Sequence, residues 1–382
     1  MPGKRLAITL ASAAMFAAAA VQADPLPTPS LAGPLTANPN PTSFDAGPLG
    51  TIFVTGVVSG LGLAQNNTEP GDRNSLADMS NAQIFVQKTD GLIQFYVQAG
   101  GYSLPSLGSA YLPSGKTTEN TYGVLPEAYL KLAPSNDFSI EVGKLPTLVG
   151  AESTFSFQNP NIERGLLWNQ TEGVSRGVQV NYTAGPVALS ASLNDGFYSN
   201  RFNWLSGTAT WTIDSANSLM FIGSGHLAAT DYSSYATPLV QNNSDIFDLI
   251  YTYSAAPWMV SPYIQYTSVP ADAALGFGQT GESKGFGLFA SYAFTPNFTL
   301  AGRFEYETTN GSVAHAAPDI AYGPGSKAWS LTATPTYQYK IFFARAEFSY
   351  VGAGDVTPGE ALGPNLTGKS QMRALLETGI LF

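Results

Sequence analysis

From Gly50 to the last residue the chain repeats one pattern: segments of about ten residues in which every second side chain is apolar. The stretch 84–98 shows it most plainly. Ile84, Val86, Ile93, Phe95 and Val97 share one face, while Phe85, Gln87, Gln94, Tyr96 and Gln98 share the other. Between the two halves, Asp90 and Gly91 supply the positive backbone angles of a tight hairpin turn. The same reading places strands at about 50–64, 81–89, 92–102, 122–133, 137–147, 173–183, 187–195 and 204–213. It continues with 218–227, 245–254, 258–268, 283–294, 298–308, 327–337, 341–351 and 369–382.

Their connections alternate in length. Seven are short and rich in turn residues, such as Pro134 to Asn136, Ala184 to Pro186 and Thr295 to Asn297. Eight are longer, including 103–121, 148–172, 228–244, 309–326 and 352–368. An even strand count with all short turns on one rim is the layout of a transmembrane antiparallel β-barrel, with short periplasmic turns and long external loops. A soluble sandwich has no reason to sort its connections this way. The expected fold is therefore all-β, with about 16 strands.

The two faces say what surrounds such a barrel. Phe298, Leu300, Phe304 and Tyr306 alternate with Thr299, Arg303, Glu305 and Glu307, and Leu205, Ala209 and Trp211 with Ser206, Thr208 and Thr210. One face reads as apolar and the other as amide, hydroxyl and scattered charge. The apolar side is expected to meet lipid, and the glutamines to line the inside. Tyr182, Tyr253, Tyr292, Phe294, Phe298, Tyr337, Tyr339, Phe342 and Phe382 fall on the outward parity beside the short turns, as an interfacial aromatic girdle would.

Composition narrows the partners. Charged residues are only 12% of the chain and cysteine is absent, so no disulfide or thiolate metal site can form. A net charge of −10 argues against a nucleic-acid partner, which would want a basic face. Met1 to Arg5 is a basic start, Leu6 to Val21 an apolar run, and Val21 and Ala23 stand at the −3 and −1 positions of a cleavage site. Residues 1–23 are thus expected to be a signal peptide, 24–48 a segment with seven prolines, and 49–382 the barrel.

The last strand, Arg373 to Phe382, ends on phenylalanine with Leu376 and Ile380 on the same parity, and resembles the C-terminal assembly signal of bacterial outer-membrane proteins. Val142, Gly143, Lys144, Thr147, Gly150 and Glu152, followed by Asn159, Arg164 and a strand from Gly173 to Tyr182, resemble the OmpL-like beta-barrel porin-2 family. That resemblance implies a passive channel of Gram-negative outer membranes and names no catalytic residue or cofactor. Its partners would be outer-membrane lipid, the barrel-assembly machinery through the C-terminal strand, and small hydrophilic solutes or ions. Single barrel or homotrimer stays open.

Other motifs weigh little against this reading. Gly276, Gly278 and Gly281 match a dinucleotide fingerprint, but no helix follows to present amides to a phosphate. His226 shares a strand face with Ser224, the only hint of hydrolase chemistry, while His315 is 89 residues away. An outer-membrane hydrolase and a blocked structural or adhesin-like barrel are the alternative readings. A sixteen-strand lumen is too wide for wall side chains to fill, so something must narrow it. The third long loop, 148–172, is the longest and carries Glu152, Asn159, Asn161, Glu163 and Arg164, the expected constriction. Charges of inward parity on the strands are Glu127, Lys131, Glu141, Asp248, Arg303, Glu305, Glu307, Arg345, Glu347, Arg373 and Glu377. Arg303, Arg345 and Arg373 could form part of one basic ladder facing acids elsewhere, giving a transverse field.

Overall fold

Alternating sequence yields antiparallel ladders along the whole chain. The computed structural model describes residues 33–382, so the expected leader and residues 24–32 lie outside the described residues. The strands are β1 (Thr42–Asp45), β2 (Thr51–Gln65), β3 (Ser75–Lys88), β4 (Ile93–Tyr102), β5 (Glu127–Leu132) and β6 (Phe138–Pro146). Next come β7 (Val174–Ala184), β8 (Val187–Asn194), β9 (Trp204–Thr212), β10 (Asn217–His226), β11 (Asp245–Ala255) and β12 (Trp258–Val269). The last are β13 (Gly281–Thr295), β14 (Phe298–Thr309), β15 (Lys327–Tyr339), β16 (Phe342–Gly354) and β17 (Ser370–Leu381). Each of β2 to β17 pairs with its sequence neighbours, and β17 returns to β2 with Leu381 opposite Val57 and Arg373 opposite Gln65. The result is a closed sixteen-strand antiparallel barrel.

Burial follows the expected parity. Ile84, Ile93, Leu130, Val142, Leu205, Phe221, Leu300 and Leu376 are exposed on the outside, whereas Phe85, Gln87, Tyr96 and Gln98 are buried within. An apolar surface this extensive is untenable in water and expected against lipid. The girdle residues gather on the outside near the short turns, where Trp258 packs on Tyr292 at 4.6 Å and Tyr292 on Phe294 at 4.7 Å. Among the described residues no helix is long and apolar enough to cross a membrane.

Three features depart most from the sequence reading. β3 begins at Ser75 rather than near 81, because Ser59 faces Asn81 while Gly60 faces Met79, leaving Ser80 as the extra residue of a β-bulge. A bulge shifts the parity of what precedes it, so Asp78 rather than an odd-numbered neighbour points inward to Tyr111 and Ser114. β5 begins at Glu127, not 122, since Pro126 has no N–H to give a ladder and Gly123 turns through a φ of 73°. The second external loop instead carries a short helix, α1 (Ser114–Asn120). β1 was not expected at all. It pairs with Thr51 to Val54 of β2, on the edge that β17 leaves uncovered past its end.

The parity has a direct test. Arg in place of Val97 or Leu300, on the lipid side, should destabilise the barrel by about 2–4 kcal/mol, while Gln94→Arg inside should be tolerated. Urea unfolding in lipid vesicles, read by the heat-modifiable gel shift, measures both. Equal effects at the two faces would show the orientation to be wrong.

Candidate functional site: the third external loop inside the barrel

The third external loop, residues 147–173, leaves β6 and does not stay outside. Pro146 ends the strand, and Thr147 Oγ1 accepts from the Val149 amide at 2.9 Å in a tight local turn. Gly150 then adopts a φ of 85°, and its N–H reaches Asp248 of β11 at 3.0 Å. From there nearly every residue to Glu172 is buried, including Glu152, Asn159, Asn161, Glu163 and Arg164.

Two kinds of contact hold it. The first is apolar. Phe157 lies 5.6 Å from Phe85 of β3, and Phe155 meets Tyr102 edge-on at 5.1 Å. Val149, Ala151 and Leu167 join a cluster with inward-facing Trp204, Ile222, Ile246, Ile250, Tyr263 and Phe289. Ile162 joins Leu61, Leu63, Tyr111 and Leu375. The inner wall is thus not the uniformly polar surface expected from its amides and hydroxyls; it carries apolar patches where the loop rests.

The second is polar, and here the wall charges find their partners. Glu347 accepts the amides of Ile162 at 2.5 Å and Glu163 at 3.0 Å. Glu305 accepts those of Leu166 at 2.9 Å and Leu167 at 3.2 Å. Arg303 donates to Glu152 at 2.6 Å and to the Glu163 carbonyl at 2.7 Å, while the other Glu152 oxygen accepts from Gly165 at 2.7 Å. Arg373 donates to Glu163 at 2.7 Å, and Arg345, paired with Glu377, donates to the Asn159 carbonyl at 3.0 Å. Asn161 donates to Thr334 at 2.7 Å, and Gln170 to Glu307 at 2.8 Å. Asn159 closes the loop on itself, accepting from Ser153 and donating to the carbonyls of Ser153 and Phe155, each at 2.8 Å.

Eight of the eleven expected wall charges therefore engage this loop: Asp248, Arg303, Glu305, Glu307, Arg345, Glu347, Arg373 and, through Ser156 at 3.1 Å, Glu377. Lys131 and Glu141 pair with each other at 3.3 Å across β5 and β6, and buried Glu127 stands beside them on β5. The three arginines do not form a free ladder, since each is spent on a carboxylate. Of the motif residues, Gly143 takes a φ of 144° that lets β6 pass close to Ala128, and Lys144 donates to the carbonyls of Tyr122 and Leu125. Sequence reasoning missed Glu172, Phe155, Phe157 and Leu167, and the signal that could have found the last three was large apolar residues at inward parity opposite them.

Arg164 is placed differently from its neighbours. Its backbone bridges to the second external loop, donating to Pro105 at 3.0 Å and accepting from Leu107 at 2.9 Å. Its guanidinium is fully buried, with the Trp168 ring 5.9 Å away and no hydrogen-bond partner among the described residues. Burial pushes it down to about 10, partly offset by Glu152 and Glu163. Burial also pushes the Glu172 carboxyl up to about 7.

A closed sixteen-strand barrel with a long external loop tied inside it defines the porin class of outer-membrane protein. The chain belongs to the family described as Putative beta-barrel porin-2, OmpL-like, whose model matches residues 51–382. It is a protein of the bacterial outer membrane. Among solved structures it is similar to outer-membrane expressed OmpT of Vibrio cholerae, at 10% identity and a TM-score of 0.57, over 90% of this chain and 100% of that one. OmpF of Salmonella typhi, in complex with daunomycin, is similar at 12% identity and a TM-score of 0.57, over 87% and 98%. At such identities the likeness concerns the fold. No curated protein sequence matches the chain significantly.

The Arg303 pair should be the loop's strongest single tether. Arg303→Ala leaves Glu152 and Glu305 buried without their cation, a change that costs about 3–5 kcal/mol. Limited proteolysis should then cut within 147–173, where the unmodified protein resists. Equal resistance would mean the loop is held without this pair.

Proposed function

We propose that the protein is a diffusion channel: small hydrophilic solutes cross the outer membrane passively through a lumen narrowed by residues 147–173. The observation that carries this reading is the anchoring of that loop by wall charges on β11, β14, β16 and β17. A loop held at so many points keeps a fixed position across the lumen, as a filter requires. Glu152, Asn159, Asn161, Glu163 and Arg164 are its constriction residues, and Glu127, Lys131 and Glu141 line the wall beside it. The C-terminal strand, with Phe382 at its end, is the segment proposed to be read by the barrel-assembly machinery.

Two observations weigh against a hydrolase. Ser224 accepts from the Trp204 indole at 2.6 Å and sits 2.8 Å from the Ser206 hydroxyl. His226 faces Asp245 and the Ser244 carbonyl, each at 3.4 Å, so nucleophile and base serve separate partners. A blocked barrel is favoured by the deep burial of the third loop, and planar-bilayer recording separates it from a channel. Steady single-channel steps support the proposal; a silent barrel would sink it.

Ion preference follows from which charges are spent. The wall arginines are neutralised by Glu152, Glu163 and Glu377, leaving an excess of acids, of which Glu172 is ionised above about pH 7. Carboxylates in a narrow passage attract cations, an effect that fades as salt shortens the screening length from ~10 Å at 0.1 M to ~3 Å at 1 M. The channel should be weakly cation-selective. Glu152→Gln with Glu163→Gln should shift it toward anions, because Arg303 and Arg373 lose their counter-charges. Lowering the pH through about 7 should weaken the cation preference as Glu172 takes up its proton. Reversal potentials under a KCl gradient check all three, and clear anion selectivity in the unmodified protein would defeat the reading.

A further inference from the structure

A second piece of chain enters the lumen, from the opposite end. The described part of the proline-rich segment begins at Gly33, and Leu35 is only 2% exposed. It belongs to an apolar cluster that includes Val57, Phe85, Phe343 and Leu381. These four are inward residues near the short-turn ends of β2, β3, β16 and β17, so the patch lies at the periplasmic mouth. In a water-filled passage an apolar patch is better covered than bare. Leu35 covers it.

The next residue is clasped by the wall. The Thr36 amide donates to Gln338 Oε1 at 2.8 Å, and Gln338 Nε2 returns a bond to the Thr36 carbonyl at 2.9 Å. One side-chain amide thus satisfies both backbone groups, as a neighbouring strand would. Gln338 has inward parity near the end of β15 and is itself steadied by donation to the Lys340 carbonyl at 3.0 Å. A few residues on, β1 is pinned to β2 at the rim. The segment is therefore fastened at β15 and at β2, with β16 and β17 between them, so it spans part of the opening.

We propose that residues 33–41 form a strap that narrows the periplasmic mouth, a second constriction in series with the third external loop. The hold is local: Leu35 is buried, whereas Thr36, Ala37, Pro39 and Asn40 are exposed. Such a strap can leave its seat without disturbing the barrel ladders. Release widens the lower opening; seating restricts it. The inference rests on the channel reading above, and its test separates the two.

The chain has no cysteine, so Thr36→Cys with Gln338→Cys creates the only thiol pair. In native membranes a short bis-thiol reagent should join them, and the joined channel should show conductance steps no larger than the unmodified one. Leu35→Asp should give larger steps, and Gln338→Ala should do the same if the aspartate perturbs assembly; the heat-modifiable gel shift reports an intact barrel in each. Failure to cross-link, or equal steps in the unmodified protein and both released variants, overturns the strap while leaving the channel standing. Silence in unmodified and released proteins alike overturns both.

Discussion

Backbone pairing across the seam between β17 and β2 is the constraint on which the rest depends. In lipid no water is present to satisfy a free N–H or C=O, so a sheet can cross a membrane only when it has no edge. The closure runs from Arg373 opposite Gln65 to Leu381 opposite Val57, and Phe382 adds reciprocal bonds with Gly56 at 2.8 and 2.9 Å. Glycine is required there, since a Cβ on Gly56 would stand 2.6 Å from the Phe382 ring. Beyond that point β1 takes over the same edge of β2, so the seam stays covered to the rim.

Closure with sixteen strands creates the next problem, a lumen that wall side chains cannot fill. The third external loop answers it by carrying its own apolar feet and by offering backbone amides to carboxylates. Gly165 shows how close that approach is: a Cβ there would lie 2.0 Å from Glu305 Oε1. Glu305 and Glu347 each take two consecutive loop amides, and Arg303 and Arg373 take the loop's own acids. Wall charge and loop position are therefore one property. Removing a wall charge moves the loop, and removing a loop acid frees a wall arginine.

Much of this was legible because strands have a period of two. Parity alone assigned Ile84, Val97 and Leu300 to lipid and placed all eleven strand charges inside, and turn chemistry sorted short from long connections. Where a β-bulge at Ser80 broke the period, the start of β3 was misplaced by six residues. The inward Trp204, Ile222, Ile246 and Phe289 escaped notice because an apolar residue among serines reads as noise until something is seen to rest on it. Arg303, Arg345 and Arg373 were put on nearby strands, yet their pairing with Glu152, Glu377 and Glu163 could not be read from spacing.

The sequence by itself determined the sixteen barrel strands, their faces, the rim on which each connection lies and hence a barrel in the outer membrane. These are local properties, written in alternation and in turn residues a few positions apart. Only the tertiary structure decided that residues 147–173 turn inward, which carboxylate meets which arginine, and that Leu35 and Thr36 find the wall at the other mouth. Those contacts join residues such as Thr36 and Gln338, far apart in the chain, and they exist only once closure has curved the sheet around a common interior.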